Sequence, residues 1–195
     1  ADLSKIMRAI KGSNPAPIDF VIGNSASGAV RSVFSTSAVQ GIQLSRQNST
    51  TAALSNSFLP TPALGVVPGA VGQIAYGRFV SPEYRAAGQY IPATGTWTGR
   101  PQVQANNPLI TQLFVPSGPK PAGGWPVAIF GHGFTDSMYG APWAVASVFA
   151  SQGIATMAIN VAGHGGGALG KLTVLRQGDT LVEVPAGGRG IDQDG

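Results

Sequence analysis

Two short blocks hold most of the chemistry-bearing side chains of this sequence, Gly131-His132-Gly133-Phe134-Thr135-Asp136-Ser137 and Gly163-His164-Gly165-Gly166-Gly167. His132 and His164 are its only histidines. Glycines in such blocks let the backbone turn sharply and leave amide N–H groups bare, which is what stabilising a developing oxyanion requires. The two imidazoles and Asp136 also form a two-His, one-carboxylate set, so a metal-dependent hydrolase is one reading. A third block, Gly23-Asn24-Ser25-Ala26-Ser27-Gly28, approaches the Gly-x-Ser-x-Gly turn of an exposed serine nucleophile but has serine where the closing glycine belongs. The terminal Asp192-Gln193-Asp194-Gly195 has the opening of an oxygen-ligand calcium loop, with a polar loop as the plainer reading.

The elements around these blocks follow from hydrophobic pattern. Leu109–Val115 and the apolar run Trp125–Phe130 read as strands, the second continuous enough to be covered on both faces. Ala141–Gln152 reads as a helix opened near Pro142, with Val145, Val148 and Phe149 on one face and Gly153 at its stop. Ile154–Val161 is a further short strand, which makes a strand–helix–strand unit with both histidine blocks at carboxyl ends of parallel strands, the edge where open α/β sheets bind ligands. Leu172–Val184 reads as a hairpin, about 172–184, that rims a pocket.

Before residue 100 the pattern is less regular. Leu3, Ile6, Met7 and Ile10 fall at helical spacing, with Lys5, Arg8 and Lys11 off that stripe and Gly12 at the stop. This is an amphipathic helix, read as packing on its own domain in preference to lying on a membrane surface. Residues 14–98 alternate short apolar runs with Gly, Pro, Ser and Asn, the signature of strands and loops. A non-enzymatic carbohydrate- or surface-binding module built from this β-rich part is therefore a third reading. Two regions result, residues 1–100 as a helix plus β/loop-rich extension and residues 101–195 as the strand–helix–strand part.

Composition narrows the function classes. With 195 residues, 43% hydrophobic and 10% charged, the chain has the makings of a folded core. The 28 glycines and 15 prolines point to many loops between short elements. A net charge of +4 arises from scattered Lys and Arg, without the basic stripe of a nucleic-acid binder. No apolar run reaches the ~20 residues of a transmembrane helix. There is no cysteine, so neither disulfides nor thiolate metal sites enter. The N-terminus has no signal-peptide core and no initiator methionine, as expected of a trimmed, mature product.

The segment Leu113-Phe-Val-Pro-Ser-Gly-Pro through Trp125-Pro-Val-Ala-Ile-Phe-Gly-His-Gly-Phe resembles the second and third strands of α/β-hydrolases, and Ala141–Gly165 resembles the helix and strand that follow. The likeness covers about residues 109–167; GRFVSPEY and TGTWTG, between Tyr76 and Gly99, loosely resemble secreted bacterial members. The resemblance implies an N-terminal part of an α/β-hydrolase sheet with helices on both faces. It further implies a carboxylesterase or lipase, secreted or periplasmic, acting on a small-molecule or polymeric ester. Phe134 would give its backbone N–H to the oxyanion, with His132 and Gly133 shaping the turn. Thr135, Asp136, Met138, Tyr139, Trp143 and His164 are the pocket candidates, the apolar ones being equally suited to a core.

In that family the serine lies on the next strand-to-helix turn, with the acid and the histidine later still. The nucleophile and triad are thus expected outside this chain, on the C-terminal half of the hydrolase as a second, nicked polypeptide or lost by truncation. Ser25 lies too early in that order. His132 and His164 are not the triad histidine, and Asp136 is expected to hold the loop by hydrogen bonding. No cofactor is implied beyond a calcium ion at Asp192 and Asp194. Residues 1–195 alone are expected to be inactive and poorly soluble.

Overall fold

A computed structural model describes residues 2–14, 17–51, 53–86, 90–92, 102–178 and 180–191. Contacts divide the chain into two compact units, residues 1–18 with 79–109 and residues 19–78 with 110–195. The smaller unit contains α1 (Asp2–Lys11), whose one buried apolar side chain is Ile6. It also holds a knot of polar contacts in which the Glu83 carboxylate accepts from the Arg85 guanidinium and from Asn107 Nδ2.

The strands form two sheets. Strands β1 (Gly23–Ser25), β2 (Gly28–Val30), β4 (Val39–Gln47), β5 (Leu54–Phe58), β10 (Lys171–Arg176) and β11 (Thr180–Pro185) form a six-stranded sheet in the order β2-β1-β11-β10-β4-β5. Its pairings are antiparallel. Strands β3 (Val33–Ser35), β6 (Val71–Glu83), β7 (Ala105–Pro116), β8 (Val127–Phe130) and β9 (Ala155–Ile159) form a five-stranded sheet in the order β3-β6-β7-β9-β8. Here β8 and β9 run parallel, joined through α2 (Ala141–Ser151), while β7 is antiparallel to β9.

One apolar core joins Ile42 and Leu44 of β4, Leu172, Val174, Val182 and Val184 of the β10–β11 hairpin, Ile74 and Tyr76 of β6, Phe114 of β7 and Trp143 of α2. Period-two alternation in β10 and β11 turns these valines and leucines inward, as an antiparallel sheet with one wet face demands. The ring of Phe114 meets Trp143 edge-on at 5.0 Å between centroids, a favoured aromatic geometry.

This architecture corrects the expected α/β-hydrolase sheet with helices on both faces. Among the described residues 42% are strand and 16% helix, with two helices and two mixed or antiparallel sheets. The physical reason is the reach of β4 and the β10–β11 hairpin, whose apolar faces are covered by assembling a second sheet. The hairpin thus sits inside a sheet, and strand–helix–strand geometry is confined to β8, α2 and β9.

Two local readings also change. The buried stripe of α2 is Trp143, Ala146, Ser147 and Ala150, while Val148 stays exposed. Small residues on that stripe let the helix lie close to the sheet. Strand β8 is not covered on both faces either: it is the last strand of its sheet, with Ile129 82% and Val127 52% exposed.

Candidate functional site

Strand β8 delivers the chain into Gly131–Gly133, and a tight turn over Gly133–Asp136 closes with the Asp136 N–H donating to the Gly133 carbonyl at 3.3 Å. Thr135, third in that turn, has φ +63°, the one positive φ outside glycine among the described residues. That is the conformation a type II turn requires and a β-branched residue resists, at a cost of about 1–2 kcal/mol. Phe134 is exposed, and among the described residues no acceptor pairs with the N–H of Phe134 or Thr135. Nothing in the fold demands glycine at 131 or 133, since a Cβ at either meets open space and neither has positive φ. Bare amides beside open space are what an incoming oxyanion needs.

His132 fixes where this turn lies. Its Nε2 accepts the Val161 N–H at 3.1 Å, so Nδ1 carries the ring proton and donates to the Gly133 carbonyl at 2.9 Å. The buried ring thereby ties the end of β8 to the end of β9, with both nitrogens engaged.

The residues after the turn are held from below. Asp136 Oδ2 accepts the Ala141 N–H at 3.2 Å at the start of α2, where a carboxylate also meets the favourable end of the helix dipole. A side chain on Gly140 would collide with that carboxylate. Two buried amides clamp Met138: Asn160 Oδ1 accepts its N–H at 2.9 Å and Gln112 Nε2 donates to its carbonyl at 2.8 Å. Gln112 Oε1 in turn accepts from Trp143 Nε1, and Asn160 Nδ2 donates to the Gly187 carbonyl. Tyr139 Oη donates to the Ala186 carbonyl at 2.7 Å. Burial, with a smaller contribution from Tyr76, holds the Tyr139 hydroxyl well above the usual phenol range. Of the two readings open for Met138, Tyr139 and Trp143, the structure places all three in the apolar core, beneath the turn.

A cleft of about 290 Å³ lies alongside, lined by Thr135 and Asp136, by Gly163–Gly166, by Arg46, Gln47 and Asn48 at the end of β4, and by Gly190 and Ile191. It brings together Thr135, Asp136 and His164 of the predicted set. The His164 ring stands 5.3 Å from that of His132 and edge-on to Phe134 at 5.7 Å. Its Nδ1 lies 3.1 Å from the Ala162 carbonyl, and its Nε2 is buried with no hydrogen-bond partner.

The second glycine block has a packing explanation. Gly163, Gly165 and Gly166 have φ of +81°, +81° and +83°. A Cβ at Gly165 would collide with the Asn160 amide, at Gly166 with the Arg46 side chain and at Gly167 with the Gln47 side chain. Gly166 and Gly167 are pressed against the end of β4 and Gly165 against Asn160, while Gly163 is set apart by its positive φ alone.

The metal reading is not assembled. Among the described residues no three His, Cys, Asp or Glu side chains gather as a metal-holding group, both nitrogens of His132 are taken, and Asp136 faces α2. Asp192 and Asp194 lie outside the described residues. Ser25 is elsewhere, on the β1–β2 hairpin, bonded to Ser27 Oγ at 2.9 Å and to the Gly28 carbonyl. The sequence reading missed Arg46, Gln47 and Asn48, which carry no local signal. It also missed Gln112 and Asn160, whose signal was a buried-type strand interrupted by an amide. Comparison with known proteins adds no relative, since no family model, curated protein or solved structure matches the chain.

Proposed function

We propose that this chain supplies the oxyanion-stabilising turn and one wall of a carboxylic-ester hydrolase site whose nucleophile is carried on a separate polypeptide segment. The observation that carries this proposal is the Gly133–Asp136 turn, with strained Thr135, unpaired Phe134 and Thr135 amides and open space above two glycines that the fold does not require. The α/β-hydrolase likeness of residues 109–167 supports the chemistry at the level of this local unit, since function resides in sites and not in whole folds.

In the proposed reaction a serine hydroxyl on the second segment attacks the ester carbonyl, its proton passing to a base on that segment. The carbonyl oxygen becomes an oxyanion that accepts from the Phe134 N–H, and collapse of the tetrahedral intermediate expels the alcohol. Water then releases the acid. The exposed edge of β8, with Ile129 and Val127 uncovered, is where a strand of the second segment would add to the sheet beside the turn.

The experiment is denaturing intact-mass analysis of native material, followed by labelling with a fluorescent serine-directed phosphonate. Label on a polypeptide segment outside residues 1–195 is the expected result. Absence of label, or label on Ser25, contradicts the proposal.

A further inference from the structure

Helix α1 sets its apolar residues in an unusual place. Leu3, Met7 and Ile10 lie within one arc of the helix and are 72%, 57% and 46% exposed, while Ile6 at the edge of that arc is buried. A helix that packs on its own domain buries the centre of its apolar stripe, and here the edge is buried and the centre faces out. The opposite arc carries Lys5, Arg8 and Lys11, and the chain as a whole has net charge +4.

An exposed apolar arc backed by a cationic one is the pattern of a helix that lies in the plane of a bilayer surface. Its apolar side chains enter the boundary between headgroups and acyl chains while Lys and Arg extend to anionic headgroups. The sign of the charge selects the occupant, since an acidic lipid surface complements this helix and another copy of the same cationic helix does not.

We infer that α1 is a membrane-surface docking element that binds anionic phospholipid bilayers, with Leu3, Met7 and Ile10 inserting and Arg8 and Lys11 meeting headgroups. The inference is independent of the proposed ester hydrolysis. A helix of ten residues offers only a small insertion, so docking is reversible and needs both contributions.

The test is flotation of the whole chain with vesicles of phosphatidylcholine alone and of phosphatidylcholine mixed with phosphatidylglycerol. Flotation with the mixed vesicles only, weakened in about 1 M salt where the screening length is about 3 Å, is expected. Replacing Leu3, Met7 and Ile10 together by serine lowers vesicle affinity by about tenfold or more. These side chains are exposed, so circular dichroism and melting of the variant stay as in the parent. Equal flotation with both vesicle types, no flotation, or flotation indifferent to the triple substitution overturns the inference. A lipid-free dimer that the same substitution converts to monomer also overturns it, by assigning the face to self-association.

Discussion

The two Gly-His-Gly turns share a sequence and not a purpose. After β9, Gly163, Gly165 and Gly166 adopt positive φ, and a Cβ at Gly165, Gly166 or Gly167 would run into Asn160, Arg46 or Gln47. After β8, Gly131 and Gly133 face open space, and the strain has moved to a residue ill suited to it, Thr135. Glycine required by packing is evidence of close approach, whereas Gly131 and Gly133 leave the space beside them open. The histidines divide likewise, since His132 is a fully used strut and His164 keeps a buried, unpartnered Nε2 beside the cleft.

The largest effect on stability should separate the two turns directly. Gly165→Ala combines positive φ with a clash on the Asn160 amide and should destabilise by about 2–4 kcal/mol. Gly133→Ala should stay within about 0.5 kcal/mol. Denaturant midpoints of the two variants check this; equal losses would erase the distinction.

The support beneath the first turn should reveal itself at high pH. Burial raises the hydroxyls of Tyr76 and Tyr139 above the usual phenol value. Because the folded values lie above the unfolded one, their contribution is complete below pH ~10 and is lost as pH rises toward the folded values. Each phenol should remove about 1.4 kcal/mol per pH unit in that window. Urea unfolding at several alkaline pH values, with Tyr139→Phe showing roughly half the slope, measures it.

The smallest effect sharpens the comparison at one residue. Asn tolerates positive φ better than Thr, so Thr135→Asn should stabilise by about 0.5–1 kcal/mol, read as a rise in melting temperature. A fall would mean that the Thr135 side chain has a stabilising role of its own.

What was legible in the sequence was local. The β8–α2–β9 unit is visible because Trp125–Phe130 and Ile154–Val161 are short apolar runs flanking a helix stopped by Gly153. The second sheet was not, because pairing β4 with β10 joins Ser45 to Lys171 across more than half the chain, and no local periodicity encodes such a partner. Apolar surface that two-sided helices would have covered is instead buried by that sheet. The same non-local pairing explains why Arg46 and Gln47 were invisible as cleft residues while Thr135, Asp136 and His164 were not. Met138, Tyr139 and Trp143 sit beside the turn in sequence but beneath it in space, a distinction only packing makes.

The most direct measurement is a steady-state ester-hydrolysis assay of Phe134→Pro beside the parent protein. Proline fits the second position of this turn, removes the N–H and leaves the fold in place. The account predicts a fall in kcat of about 100- to 1000-fold with KM and melting temperature little changed. An unchanged kcat in the folded variant would contradict the claim that this turn holds the oxyanion.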